Sequence, residues 1–282
     1  MAVDDAGEPS ALAIRRVTYD KILIFGDSLT ELSSDIHTLS FALTPALQHY
    51  YFRKLAVVAR GYGGYSSMHL KHVLLPTLRA ETAAGEKIKL LVIEVGTNDA
   101  ADRDMQAVPV ETYRKNLEWM VQQARKSGVE RVVVVGPGPV DEDMLEPPVY
   151  NRVMKNLEYS SAAKEAAARC GVPFINMWHA MMAHIGWKKG EPVPGVLGHG
   201  GTAFKDLLTD GVHLTGMGYR IWYDELVAVI IKEFPDLRTE ALPTVLPHIF
   251  DVERENLPES LWQDVAVKEE VDDGSFKRKN KR

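Results

Sequence analysis

The sequence predicts a doubly wound α/β domain, a parallel sheet with helices on both faces. Two observations carry this. Short apolar runs, most of them stopped by glycine, alternate with longer stretches of helical character along the 282-residue chain. The runs are continuously apolar rather than alternating, as strands buried on both faces require. Strand and helix in strict alternation then give a layered sheet.

The first run, 22–25, stops at Gly26; the second, 55–59, ends at Arg60 and Gly61; the third, 90–95, ends at Gly96. A fourth, 131–135, runs into Gly136 and Pro137, and a weaker fifth lies at 172–175. Their shortness, β-branched content and glycine stops read as strands rather than buried helix. Helical stretches fall at 36–52, 66–84, 109–127, 148–170 and 215–234. Pro109 suits the first turn of the third helix, and Tyr113, Leu117, Met120 and Val121 make one apolar stripe on it. Residues 186–209 form a long loop rich in glycine and proline. One domain is expected over 20–250, with a flexible extension at 1–19 and a C-terminal extension at 251–282.

Composition excludes several classes. With 45% hydrophobic and 26% charged residues the chain is an ordinary globular one. No apolar stretch approaches the ~20 residues needed to cross a bilayer, so no stable membrane insertion is expected. Lys+Arg 33 against Asp+Glu 39 gives −6, which argues against nucleic acid as a partner. Cys170, alone in the sequence, can close no internal disulfide and excludes a structural zinc site of several thiolates. The acidic start lacks the pattern of a secretory signal, so a cytoplasmic location is expected. The basic block at 277–282 reads as a solvated tail rather than an import signal.

In a doubly wound sheet ligands bind beyond the carboxyl ends of the strands. After the first run comes Gly26-Asp27-Ser28-Leu29, where a serine on a strand-to-helix turn can present its hydroxyl. Alone, Ser28 would be a helix cap. After the second comes a glycine-rich turn, Arg60-Gly61-Tyr62-Gly63-Gly64-Tyr65, whose backbone can approach a ligand closely. After the third comes Gly96-Thr97-Asn98-Asp99, which brings an amide to the same edge. Late in the chain, Asp210-Gly211-Val212-His213 sets a carboxylate three residues before a histidine, ahead of the last helix. Together they supply a nucleophile, a base, a carboxylate to orient it, and donors for an oxyanion, the parts of acyl transfer through a serine. The Gly-x-Ser-x-Gly elbow of the α/β-hydrolases is absent from the strand-to-helix turns.

These four blocks resemble those of the GDSL or SGNH hydrolases, and the similarity spans about residues 20–250. Within that family the chain is most similar to the isoamyl acetate-hydrolysing esterase branch. The resemblance rests on Gly96-Thr97-Asn98-Asp99-Ala100, on 108–117, on 136–142, and on 210–219. It implies a flavodoxin-like three-layer α/β/α sandwich around a parallel sheet of about five strands. It also implies a serine esterase with Ser28 as nucleophile, His213 as base and Asp210 as the partner of that base. The oxyanion would be held by the N–H of Ser28, the N–H of Gly64 and the side chain of Asn98. Gly61 or Gly63 remain alternatives to Gly64. A small-molecule ester is the implied substrate, acetate or another short acyl ester, with no cofactor and no metal; a homodimer is a family-based expectation. Lysophospholipase, acyl-thioesterase and sugar O-deacetylase activities use the same machinery, and a non-catalytic scaffold is the rival of another class.

Other constellations carry less. His69 and His72 fall three apart on one helical face without a third ligand, so they read as a polar surface pair. His199 sits in a glycine loop, Trp178, Trp187 and Trp222 read as core or rim, and Cys170 as inert.

Overall fold

The computed structural model describes residues 17–146, 151–199 and 203–262. Five strands make one sheet: β1 (Lys21–Gly26), β2 (Ala56–Gly61), β3 (Ile88–Glu94), β4 (Val132–Gly136) and β5 (Phe174–Asn176). Their order is β2-β1-β3-β4-β5 and every neighbouring pair is parallel. This is the flavodoxin-like winding, with its switch point between β1 and β3.

Around the sheet lie α1 (Ser28–Glu31), α2 (Leu43–Tyr50), α3 (Ser67–Glu81), α4 (Val110–Lys126), α5 (Arg152–Cys170), α6 (Met177–His184) and α7 (Gly216–Glu233). Successive strand side chains point to opposite faces. Ile22, Ile24, Leu90, Val92 and Val135 therefore share one core with Leu47 of α2, Met181 of α6 and Trp222 of α7. Leu23, Phe25, Leu91, Ile93 and Val134 share the other with Leu74 of α3, Leu117 of α4 and Ala163 of α5. The three layers predicted from the sequence are present.

Boundaries depart from expectation where side chains compete for the backbone. The helix expected from 36 begins at Leu43, because the Asp35 carboxylate accepts the N–H groups of His37 (2.8 Å) and Thr38 (3.2 Å) in a turn. The helix expected from 148 begins at Arg152, after Asn151 at φ 61°. The short helices α1 and α6 were not expected from apolar periodicity, which four- and eight-residue segments barely display.

The chain divides into two compact units, of which the larger is Asp20–Pro243 and carries everything described below. The smaller includes the described residues 17–19 and 244–262, with the short helix α8 (Leu257–Leu261). The basic block at 277–282 and residues 1–16 lie outside the described residues. No helix among the described residues is long and apolar enough to cross a membrane.

Candidate active site

Ser28 opens α1 two residues after β1 ends, at the carboxyl edge of the sheet. Its Oγ lies 3.0 Å from Nε2 of His213, and Nδ1 of that ring lies 2.6 Å from Oδ2 of Asp210. Oδ1 of Asp210 accepts the N–H groups of Val212 (3.0 Å) and His213 (2.9 Å). Burial opposes ionisation of Asp210, but the hydrogen bonds from His213 and Val212 outweigh it and hold the carboxyl below its usual range. An ionised Asp210 keeps the proton on Nδ1 and leaves Nε2 to accept from the serine hydroxyl.

The loop carrying His213 is pinned at both ends. Thr209 donates its N–H to His213 O (2.8 Å), and Thr215 donates its own to Leu207 O (2.9 Å). The Thr215 side chain caps α7 through Gly218 N–H (3.3 Å). Buried Tyr219, in the first turn and a half of α7, donates its hydroxyl to Leu29 O at 2.7 Å. Helix α7 is thereby tied to the residue beside the serine.

The glycine turn after β2 lies against the same edge. A Cβ at Gly61 would fall 1.9 Å from Glu31 N, so only glycine lets β2 approach α1 this closely. The Gly63 N–H is occupied, donating to Glu31 Oε2 at 2.6 Å. Gly64, at φ 77°, lines the same cleft as Ser28, and the N–H of neither donates to an acceptor among the described residues. Asn98 Nδ2 donates to Tyr65 O (2.9 Å) and, at a long 3.4 Å, to Asp27 Oδ2. Gln106, which sequence reasoning did not single out, donates through Nε2 to Gly64 O (2.9 Å) and to Asn98 Oδ1 (3.2 Å).

Beneath the serine lies a group of buried acids. Asp27 Oδ1 accepts the Leu29 N–H at 2.9 Å, and Glu94 Oε2 accepts from Thr30 Oγ1 at 3.1 Å and Asp27 N at 3.4 Å. Burial, then the charge of Glu94, pushes Asp27 well above the usual carboxylate range; burial pushes Glu94 up to about 7. Asp99 is pushed up to about 6 by burial despite accepting the Ser67 N–H (2.9 Å) and hydroxyl. That clamp joins the loop after β3 to the start of α3, which sets Gly64 and Asn98 relative to each other. Glu94 was legible in the sequence only as a charge inside an apolar run.

Ser28, Gly64, Asn98, Asp210 and His213 thus line one open cleft of about 840 Å³. Its rim comes from Ala101, Arg103 and Gln106 after β3 and from Met144 and Leu145 after β4. No described residue of the 186–209 loop lines it; that loop packs on the segment after β4, with Leu197 N–H donating to Glu142 Oε2 at 3.0 Å. The remaining candidates take other roles. His69 completes the cap of α3, its Nδ1 lying 3.0 Å from Ser66 Oγ, while Trp178 and Trp222 are buried. Burial raises the Cys170 thiol. Among the described residues no group of three or more His, Cys, Asp or Glu side chains is placed to hold a metal ion.

Residues 24–221 match the GDSL-like Lipase/Acylhydrolase family. The chain belongs to that family and is a carboxylic ester hydrolase. Within it the chain is related to the isoamyl acetate-hydrolyzing esterases. It is 32% identical over 230 residues to that esterase of Saccharomyces cerevisiae, covering 77% of this chain and 88% of the yeast one. It is 29% identical over 247 residues to the isoamyl acetate-hydrolyzing esterase 1 homolog of Mus musculus, covering 83% and 89%. The solved lipase/acylhydrolase from Enterococcus faecalis superposes with a TM-score of 0.53 at 25% identity, over 80% of this chain and 98% of that one.

Proposed function

We propose that the chain hydrolyses short-chain acyl esters, acetates such as isoamyl acetate among them, through an acyl-enzyme on Ser28. The observation that carries the reading is the chain of contacts Ser28 Oγ–His213 Nε2 at 3.0 Å and His213 Nδ1–Asp210 Oδ2 at 2.6 Å. Ser28 Oγ attacks the ester carbonyl carbon while His213 Nε2 takes its proton, and Asp210 stabilises the imidazolium. The oxyanion receives the N–H groups of Ser28 and Gly64 and one N–H of Asn98. The long 3.4 Å bond from Asn98 to Asp27 is the one exchanged for it. Collapse of the tetrahedral species breaks the bond to the alcohol, which leaves with the proton held on His213. A water then adds to the acyl carbon, giving its proton to His213, and the acid departs as Ser28 regains its hydrogen.

The short-acyl preference is supported by the names of the relatives. A series of p-nitrophenyl esters tests it. We expect kcat/KM to fall as the acyl chain grows from two carbons to eight. Preference for the long members, or for lysophospholipid, would replace this reading with a lysophospholipase one.

A further inference from the structure

We propose that Arg152 binds an anionic group on the ester substrate, so that the cleft selects esters carrying a carboxylate besides the bond to be cleaved. The proposal rests on the reading of Ser28 as nucleophile and extends it to substrate class. Arg152 is the first residue of α5 and lines the cleft that holds Ser28, yet it is only 7% exposed. Its Nη2 donates to Thr97 O, and its other donors meet no acceptor among the described residues. Thr97 precedes Asn98, so the guanidinium is anchored one residue from the candidate oxyanion amide.

Buried guanidinium groups are ordinarily paired with carboxylates, because an uncompensated charge out of water is expensive. Arg152 has no such partner within ion-pair distance among the described residues. Asp102, in the same cleft and the strongest opposite charge acting on Arg152, is itself ion-paired with Lys155 of α5. Asp99, whose ionised form Arg152 also favours, is taken up by Ser67. Glu146 is exposed on the rim, Tyr159 donates its hydroxyl to Val108 O, and Asp27 is engaged under the serine. Arg103, also in the cleft, adds a second cation and repels the first. Burial lowers the Arg152 group to about 10, which leaves it charged at neutral pH. The carbonyl of a neutral ester accepts a single weak hydrogen bond from a guanidinium, whereas a carboxylate accepts two charge-assisted ones in parallel.

Two substrate pairs test the proposal. Mono-p-nitrophenyl succinate against p-nitrophenyl 4-methylpentanoate puts the charge on the acyl half; 4-acetoxybutanoate against 4-methylpentyl acetate puts it on the alcohol half. The wild type is expected to favour the charged member of at least one pair. Arg152→Gln should lower the charged-to-neutral ratio of kcat/KM by about tenfold or more, chiefly through KM, and Arg152→Lys by less. A purely structural strut on Thr97 would depress both members equally, and that result overturns the proposal. So does preference for the neutral ester in both pairs. If Arg152→Gln does not fold, the wild type carries the test: succinate should inhibit competitively and succinamide should not, and equal effects overturn it. Failure of the Ser28 reading is a separate result, turnover of p-nitrophenyl acetate surviving in Ser28→Ala.

Discussion

Gln106 Nε2 lies 3.2 Å from Oδ1 of Asn98, and the same nitrogen lies 2.9 Å from Gly64 O. One amide therefore fixes both protein groups that flank the serine. By holding the Asn98 oxygen, it fixes which end of that amide donates, the end that now reaches Tyr65 O and, over 3.4 Å, Asp27. Gln106→Ala should lower kcat by roughly tenfold with little change in KM, since it loosens donors that matter most in the transition state. Steady-state kinetics on p-nitrophenyl acetate decides it; a change confined to KM would make Gln106 a substrate contact.

Ser28→Ala should reduce kcat by on the order of 10³-fold or more while circular dichroism and melting stay near wild type. His213→Ala should be about as damaging, because base and nucleophile act as a unit. Asp210→Ala should leave somewhat more activity. Near-native turnover in a folded Ser28→Ala protein would end the assignment.

Asn98→Ala removes one donor to the developing oxyanion, a loss of roughly 10²–10³ in kcat. The signature is a fall in kcat that far exceeds any rise in KM. Loss in KM alone would make Asn98 a ground-state binding group.

Glu94 makes a prediction about stability. Its folded-state pKa, about 7, stands above the ordinary 4.5, so between those values the folded protein holds a proton the unfolded chain has released. That contribution is present below pH 4.5 and is lost as pH rises through 7. Glu94→Gln keeps the acceptor for Thr30 without the charge. Its drop in melting temperature between pH 5 and pH 8 should be smaller than the wild type's by roughly 3–6 °C. Equal drops would show that Glu94 ionises normally in the fold.

Much of this was legible in the residues. Four of the five strands announced themselves as apolar runs ending in glycine, and Ser28, Gly64, Asn98, Asp210 and His213 follow strands or precede a helix at the same edge. The glycine ambiguity was not legible: it turns on Glu31, a helix residue whose carboxylate occupies the Gly63 N–H. Nor was Gln106, which sits in an aperiodic loop and acts on a carbonyl 42 positions away. Nothing in the sequence singled out Arg152; only packing shows it enclosed. The path of the long 186–209 loop was not legible either: its composition reveals nothing of its docking onto Glu142.

The contact between Ser28 and His213 joins positions 185 residues apart, and Tyr219 locks it by bonding α7 to Leu29. On the reading of Ser28 as nucleophile and His213 as base, a chain emerging from the ribosome carries the first long before the second. Every strand can be laid down while the serine remains inert. On the same reading hydrolysis switches on only when α7 docks, so the onset of ester cleavage during refolding would be a clock for that step.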